Sequence, residues 1–174
     1  MRLGFPLAAC IAILFTCEVL RAQDAAAASA KTDLPGLKKL LEELGYAPEA
    51  KKAGETEYLQ VDLKHSNGET RKHLIGLDPQ AATIYILGGG FSWAPDPKKA
   101  TNEWFRKLLK ANHNLAPSYI FLNDIDVFGL TTVIGNVDIT SDRLKAKLKD
   151  HLANFDEKLV PLVKELPGMD TDNK

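Results

Sequence analysis

Cysteine is nearly missing from this chain. Of its 174 residues only Cys10 and Cys17 are cysteines, and both fall within the first seventeen positions. The remainder cannot close a disulfide on itself, and thiolate chemistry is excluded there. An excess of either charge is also missing. Lys and Arg number 22 against 23 Asp and Glu, a formal net charge of −1. Residues 1–30 hold Arg2, Arg21, Glu18 and Asp24, two of each sign, so their removal leaves the balance unchanged. A nucleic-acid binder would show a basic excess. The Gly-x-Ser-x-Gly of a nucleophile elbow is lacking, for none of Ser29, Ser66, Ser92, Ser118 and Ser141 sits in it. So is the Lys-Ser/Thr that would turn Gly88-Gly89-Gly90 into a phosphate loop. Carboxylates are many, but no spacing singles out an acid–base pair.

One long apolar run is present. After Met1-Arg2, residues 3–17 read LGFPLAACIAILFTC without a charge, and a small-residue run, AAAASA, occupies residues 25–30. A basic start, an apolar centre and a small-residue exit are the marks of a secretory signal peptide. As a helix the run would be roughly 22 Å long, against roughly 30 Å of bilayer hydrocarbon, so a stable span after cleavage is not expected. Lipidation at Cys10 or Cys17 is the lesser reading, because Cys10 lies inside the run and the letters before Cys17 are poor. The expected division is a signal and processing region over 1–30, one domain over 31–167 and a tail over 168–174. The product is expected in the bacterial periplasm or secreted.

The rest has the length of one domain, enough for a hydrophobic core. Asp33 and Pro35 open a helix whose Leu34, Leu37, Leu40, Leu41 and Leu44 share a face, and Gly45 closes it. Leu59, Val61 and Leu63 alternate with polar residues as in a half-buried strand. Asn67-Gly68 signals a hairpin, with its return strand over about 69–77. ATIYIL, residues 82–87, predicts a third strand ended by the three glycines. Asp96-Pro97 opens a second helix with Trp104, Phe105, Leu108 and Leu109 on its apolar face. Two strands follow, over about 119–122 and 130–139, joined by a turn in 123–129. The last helix is capped by Thr140 or Ser141 and carries a stripe of Leu144, Leu148, Leu152, Phe155, Leu159, Leu162 and Leu166, with a kink at Pro161. The predicted architecture is α+β, an antiparallel five-stranded sheet in the order α-β-β-β-α-β-β-α, with helices largely on one face.

That order and its letters resemble the YbjN and type III secretion chaperone-like superfamily. The likeness runs over about residues 34–159. It is best in LLKANHNLAPSYIFLND and LTTVIGNVDITSDRLKAKL, with Leu108, Leu109 and Asn112 at the end of the second helix and Leu115 and Phe121 leading into the next strand. LKKLLEELGYAPEA is similar to the family's first helix. The resemblance implies a non-catalytic α+β domain, often a homodimer, that binds another protein or peptide. Its cytosolic roles fit poorly with an export signal, so only the binding-module part carries over.

Four histidines, His65, His73, His113 and His151, show no metal-site spacing. His65 and His73 flank the first hairpin and could approach each other across it, but two imidazoles are too few ligands for zinc without carboxylates, and they are read as solvated strand residues. Asn123-Asp124-Ile125-Asp126 reads as a turn rather than a calcium loop. No cofactor and no metal are expected. The candidate partner or dimer interface is Trp104, Phe105 and Leu108, and Phe91 and Trp93 are the candidates for a groove beside the glycines. The alternative is a small envelope ligand-binding protein or enzyme with a curved-sheet pocket.

Overall fold

A computed structural model describes residues 30–78, 80–92, 102–122 and 127–165. Its first helix, α1 (Leu34–Glu43), begins where Asp33 accepts a hydrogen bond from the Gly36 amide, and it buries Leu37 and Leu41. Gly45 follows the helix at φ +86°, a left-handed geometry that glycine adopts without strain.

The sheet has six strands rather than the five expected. They are β1 (Glu49–Ala53), β2 (Thr56–Lys64), β3 (Thr70–Asp78), β4 (Thr83–Ser92), β5 (Ser118–Leu122) and β6 (Val127–Gly135), in spatial order β1-β2-β3-β4-β6-β5, all neighbours antiparallel. The extra strand is β1, EAKKA. All five of its residues are exposed, so it shows none of the alternation by which a half-buried strand is recognised. The Asn67-Gly68 hairpin forms as expected, with Gly68 at φ +86° and β2 paired to β3 from Lys64 opposite Thr70.

Two further expectations are corrected. The glycines do not end the third predicted strand, since β4 runs through them to Ser92 with a register shift between Gly89 and Phe91. Gly129 lies within β6 rather than in the preceding turn. Both glycines make room for a side chain from a neighbour. A Cβ on Gly88 would stand 2.5 Å from the His73 ring, and one on Gly129 2.6 Å from the Phe121 ring.

Helix α2 (Asn102–His113) precedes β5, and α3 (Ser141–Asn154) follows β6 with Thr140 as its cap. The kink expected at Pro161 takes the form of a π-helical turn, Phe155–Leu159, leading into α4 (Val160–Lys164). Proline lacks an amide hydrogen and crowds the carbonyl four residues earlier. The wider turn, in which the Val160 amide reaches the Phe155 carbonyl, lets the helix pass that point without stopping.

Helices α1 and α3 pack over Leu59, Val61, Leu63, Ile75, Ile84, Ile86 and Ile134. Phe155, Leu159 and Val163 pack with Leu115, Ile120 and Leu130 in a second cluster. Both clusters lie on the same face of the sheet, as the strand register requires. No helix of the described residues is long and apolar enough to cross a membrane.

Candidate functional site

Three of the four histidines meet inside the protein. His65 follows β2, His73 points inward from β3, and His151 comes from α3; they are 4%, 0% and 0% exposed. The reading of His65 and His73 as solvated is therefore wrong. On β3 the period of two places His73 on the same face as Ile75, and Gly88, directly opposite on β4, leaves the ring a space that any Cβ would fill.

The rings form part of a continuous hydrogen-bonded chain. Asp156 Oδ1 lies 2.5 Å from His65 Nδ1, His65 Nε2 2.9 Å from His73 Nε2, and His73 Nδ1 3.1 Å from His151 Nε2. His151 Nδ1 is 2.8 Å from Thr132 Oγ1, which is 2.7 Å from Ser118 Oγ, and that oxygen accepts from Asn154 Nδ2 at 3.2 Å. The second Asp156 oxygen accepts from the Ser66 backbone amide. Phe155 packs beside all three imidazoles, with centroids 4.9 to 6.4 Å away.

The protons can be counted. If Asp156 is ionised and each imidazole is neutral, every junction from Asp156 to Ser118 holds one proton, and all of the hydrogen bonds run toward the carboxylate. Burial, helped by the neighbouring His151 and His65, pushes His73 down to about 3. Burial, then His65, pushes His151 down to about 4. Both rings are thus neutral at pH 7. For Asp156 burial pushes upward, but hydrogen bonds from Ser66 and His65 outweigh it and hold the carboxyl below its usual range.

The chain is saturated. All six ring nitrogens are engaged, and among the described residues no buried side-chain polar atom lacks a partner. No cluster of three or more metal-ligating residues forms among the described residues, because the rings are strung in a line and do not converge on a point. Such an arrangement joins elements and carries charge poorly; each of the three rings has both nitrogens engaged within the protein.

The other face of the sheet is different. The register places Tyr58, Leu74, Tyr85, Leu87, Val133, Tyr119 and Phe121 on it. Among the described residues the helices that pack on apolar clusters lie on the opposite side. Most of these side chains are half-buried and Tyr119 is 46% exposed. Two rings cover glycines, Tyr85 Gly76 and Phe121 Gly129; the apolar residues form a patch beside Glu49, Lys51, Gln60, Asp62 and Lys72, which the register places on the same face. The nearest hollow, about 540 Å³, is open to solvent at the sheet's end beside Leu34, Glu55, Leu77 and Tyr85.

The expected interface residues are placed unequally. Leu108 packs against the second cluster, while its neighbour Leu109, expected on the same apolar face, is 69% exposed. Trp104 and Phe105 lie in α2 with side chains outside the described residues, as does the side chain of Phe91 in β4; Trp93 and the 123–126 turn fall outside them altogether. His113 is exposed. Asn112 has a clear role: its side chain accepts from the Ile120 amide at 2.6 Å and donates to the Ile120 carbonyl at 3.3 Å, covering part of the outer edge of β5. His151 was weighed in the sequence only as a metal ligand, and Thr132 went unnoticed, because nothing local to either residue points to the other.

No protein-family model matches the chain, and neither does any curated protein sequence. Solved structures do. YbjN from E. coli, described as a proposed transcription regulator, is similar at a TM-score of 0.53 and 13% identity, over 79% of this chain and 93% of that one. An uncharacterized protein from Methanothermobacter thermautotrophicus is similar at 0.51 and 13%, over 75% and 96%. The chain thus has a YbjN-like α+β fold.

Proposed function

We propose that this chain is an exported, non-catalytic binding module that docks protein on the open face of its sheet, and that a second copy of itself is the occupant. The observation that carries this reading is the apolar patch formed by Tyr58, Leu74, Tyr85, Leu87, Phe121 and Val133. Large apolar patches rimmed by polar residues mark interaction sites. Six strands spaced about 4.8 Å apart, with roughly 20 Å of paired length, give a face of about 550 Å² before side-chain relief is added. Two such faces together approach the lower end of the roughly 1,200–2,000 Å² that stable interfaces bury. The saturated histidine chain supports the non-catalytic part, and the leader in residues 1–30 supports export.

Sedimentation of the purified protein from about 1 to 500 μM, beside Leu87→Lys, tests the reading. A concentration-dependent dimer that the substitution abolishes is the expected result. A monomer at every concentration, or a dimer indifferent to Leu87→Lys, would remove the second copy as occupant. The mass of the mature N-terminus tests export separately.

A further inference from the structure

Five of the hydrogen bonds described above cross one boundary, that between the sheet layer and the last helix. On the helix side stand His151, Asn154 and Asp156; on the other stand His65, Ser66, His73, Thr132 and Ser118. The crossings are Asp156 to His65, Asp156 to the Ser66 amide, His151 to His73, His151 to Thr132, and Asn154 to Ser118. Beneath this boundary lie Leu115, Ile120 and Leu130, covered by Phe155, Leu159 and Val163. The polar seam and the apolar cover are carried by the same stretch of chain, with the π-helical turn between α3 and α4. Such turns recur at functional sites because they re-aim side chains within a helix. Here the turn presents Phe155 inward and Asp156 to the hairpin.

The charges around the inner rings are unevenly placed. His73 is faced by His65 after β2, His151 from α3, Gly88 from β4, and Phe155 and Asp156 from the π turn, with Arg71 on its own strand. His151 is faced by His73, Thr132 of β6, Gly88 and Phe155. Asp156 is the carboxylate of the chain, and it touches His65 alone among the rings. The Arg71 guanidinium, 6.0 Å from the centre of the Phe155 ring, lies in the same region with its charge balanced by Glu69 at 2.8 Å. A proton arriving on His73 or His151 would therefore find a second donor or a ring beside it and no anion in contact.

We propose that this chain is an acid-operated clasp: protons taken up by His73 and His151 undo the crossings, α3 past His151, the π turn and α4 leave the sheet, and the apolar surface of Leu115, Ile120 and Leu130 is uncovered. The inference is independent of docking on the opposite face. The low proton affinity of the two rings in the closed form supports it. If both rings reach solvent on opening and regain the ordinary value near 6.5, each favours the open form by about 100-fold at pH 4.5.

Hydrogen exchange of the purified protein, at pH 7 and pH 4.5 and corrected for the intrinsic rate at each, tests the clasp. The expected result is a loss of protection of at least tenfold across residues 150–165 while β2, β3 and β4 keep theirs. The paired variant His73→Gln with His151→Gln, which keeps donors and acceptors without titrating, should remain closed at pH 4.5. Where that variant does not fold, imidazole ¹⁵N shifts of the wild-type chain give the second readout: the rings must charge over the pH interval in which the segment opens. Uniform loss of protection in all elements, opening with both rings still neutral, a segment closed at pH 4.5, or a folded variant that opens as the wild type does would each overturn the proposal.

Discussion

The imidazoles of His65 and His73 meet nitrogen to nitrogen at 2.9 Å in the interior of the protein. At such a junction one ring donates and the other accepts, so the tautomer of each is tied to that of the next. The arrangement fixes how the domain answers to pH, to added bulk and to the loss of a single polar group.

Stability falls on acidification. In the unfolded chain His73 and His151 bind protons near pH 6.5, whereas in the folded chain they do so at about 3 and 4. Below pH 6.5 the unfolded state therefore holds more protons, and stability is lost as pH drops toward 4. Two such groups give a slope of at most about 2.7 kcal/mol per pH unit. Urea unfolding from pH 8 to 4.5 should show a plateau above about 7 and a steep decline beneath it.

Gly88→Ala places a methyl group 2.5 Å from His73 and 2.8 Å from His151 Nε2. The rings must shift, and a cost of about 1–3 kcal/mol is expected. Gly135→Ala, in β6 with nothing within 4 Å of the added carbon, is the matched control and should be neutral or slightly stabilising. Chemical denaturation of the two variants checks the difference.

Asn112→Ala removes both hydrogen bonds that the side chain makes with Ile120 at the outer edge of β5. A loss of about 1–3 kcal/mol is expected. Amide exchange at Ile120 should quicken, with little change at Leu59 or Ile75 in the far half of the sheet.

Phe121→Ala uncovers Gly129 on the open face. The strand pair β5–β6 loses a cross-strand aromatic contact worth about 0.2–1 kcal/mol, and on the docking proposal self-association weakens as well. Combined denaturation and sedimentation separate the two effects.

Much of this fold is written locally. Asp33, Gly45, the Asn67-Gly68 turn and the leucines of α3 each announce their element through short-range chemistry, and all appear where that chemistry puts them. β1 was hidden because EAKKA is exposed throughout and shows no alternation. The extent of β4 was hidden because its glycines serve neighbours distant in sequence: Gly88 makes room for His73 and for His151, sixty-three positions on. Of the histidine chain only the approach of His65 and His73 across the hairpin was legible; His151, Thr132 and Asp156 were not, for the same reason. Each ring taken alone reads as a polar residue on a strand or helix; only the strand register and the packing of α3 bring the three together.

The protonation state of the inner rings is the point on which the account turns, and ¹⁵N-detected imidazole NMR between pH 8 and 4.5 measures it directly. His73 and His151 should remain neutral through pH 6, each with one protonated nitrogen, and should charge only below about pH 5. A cationic ring at either position at pH 7 would contradict the account.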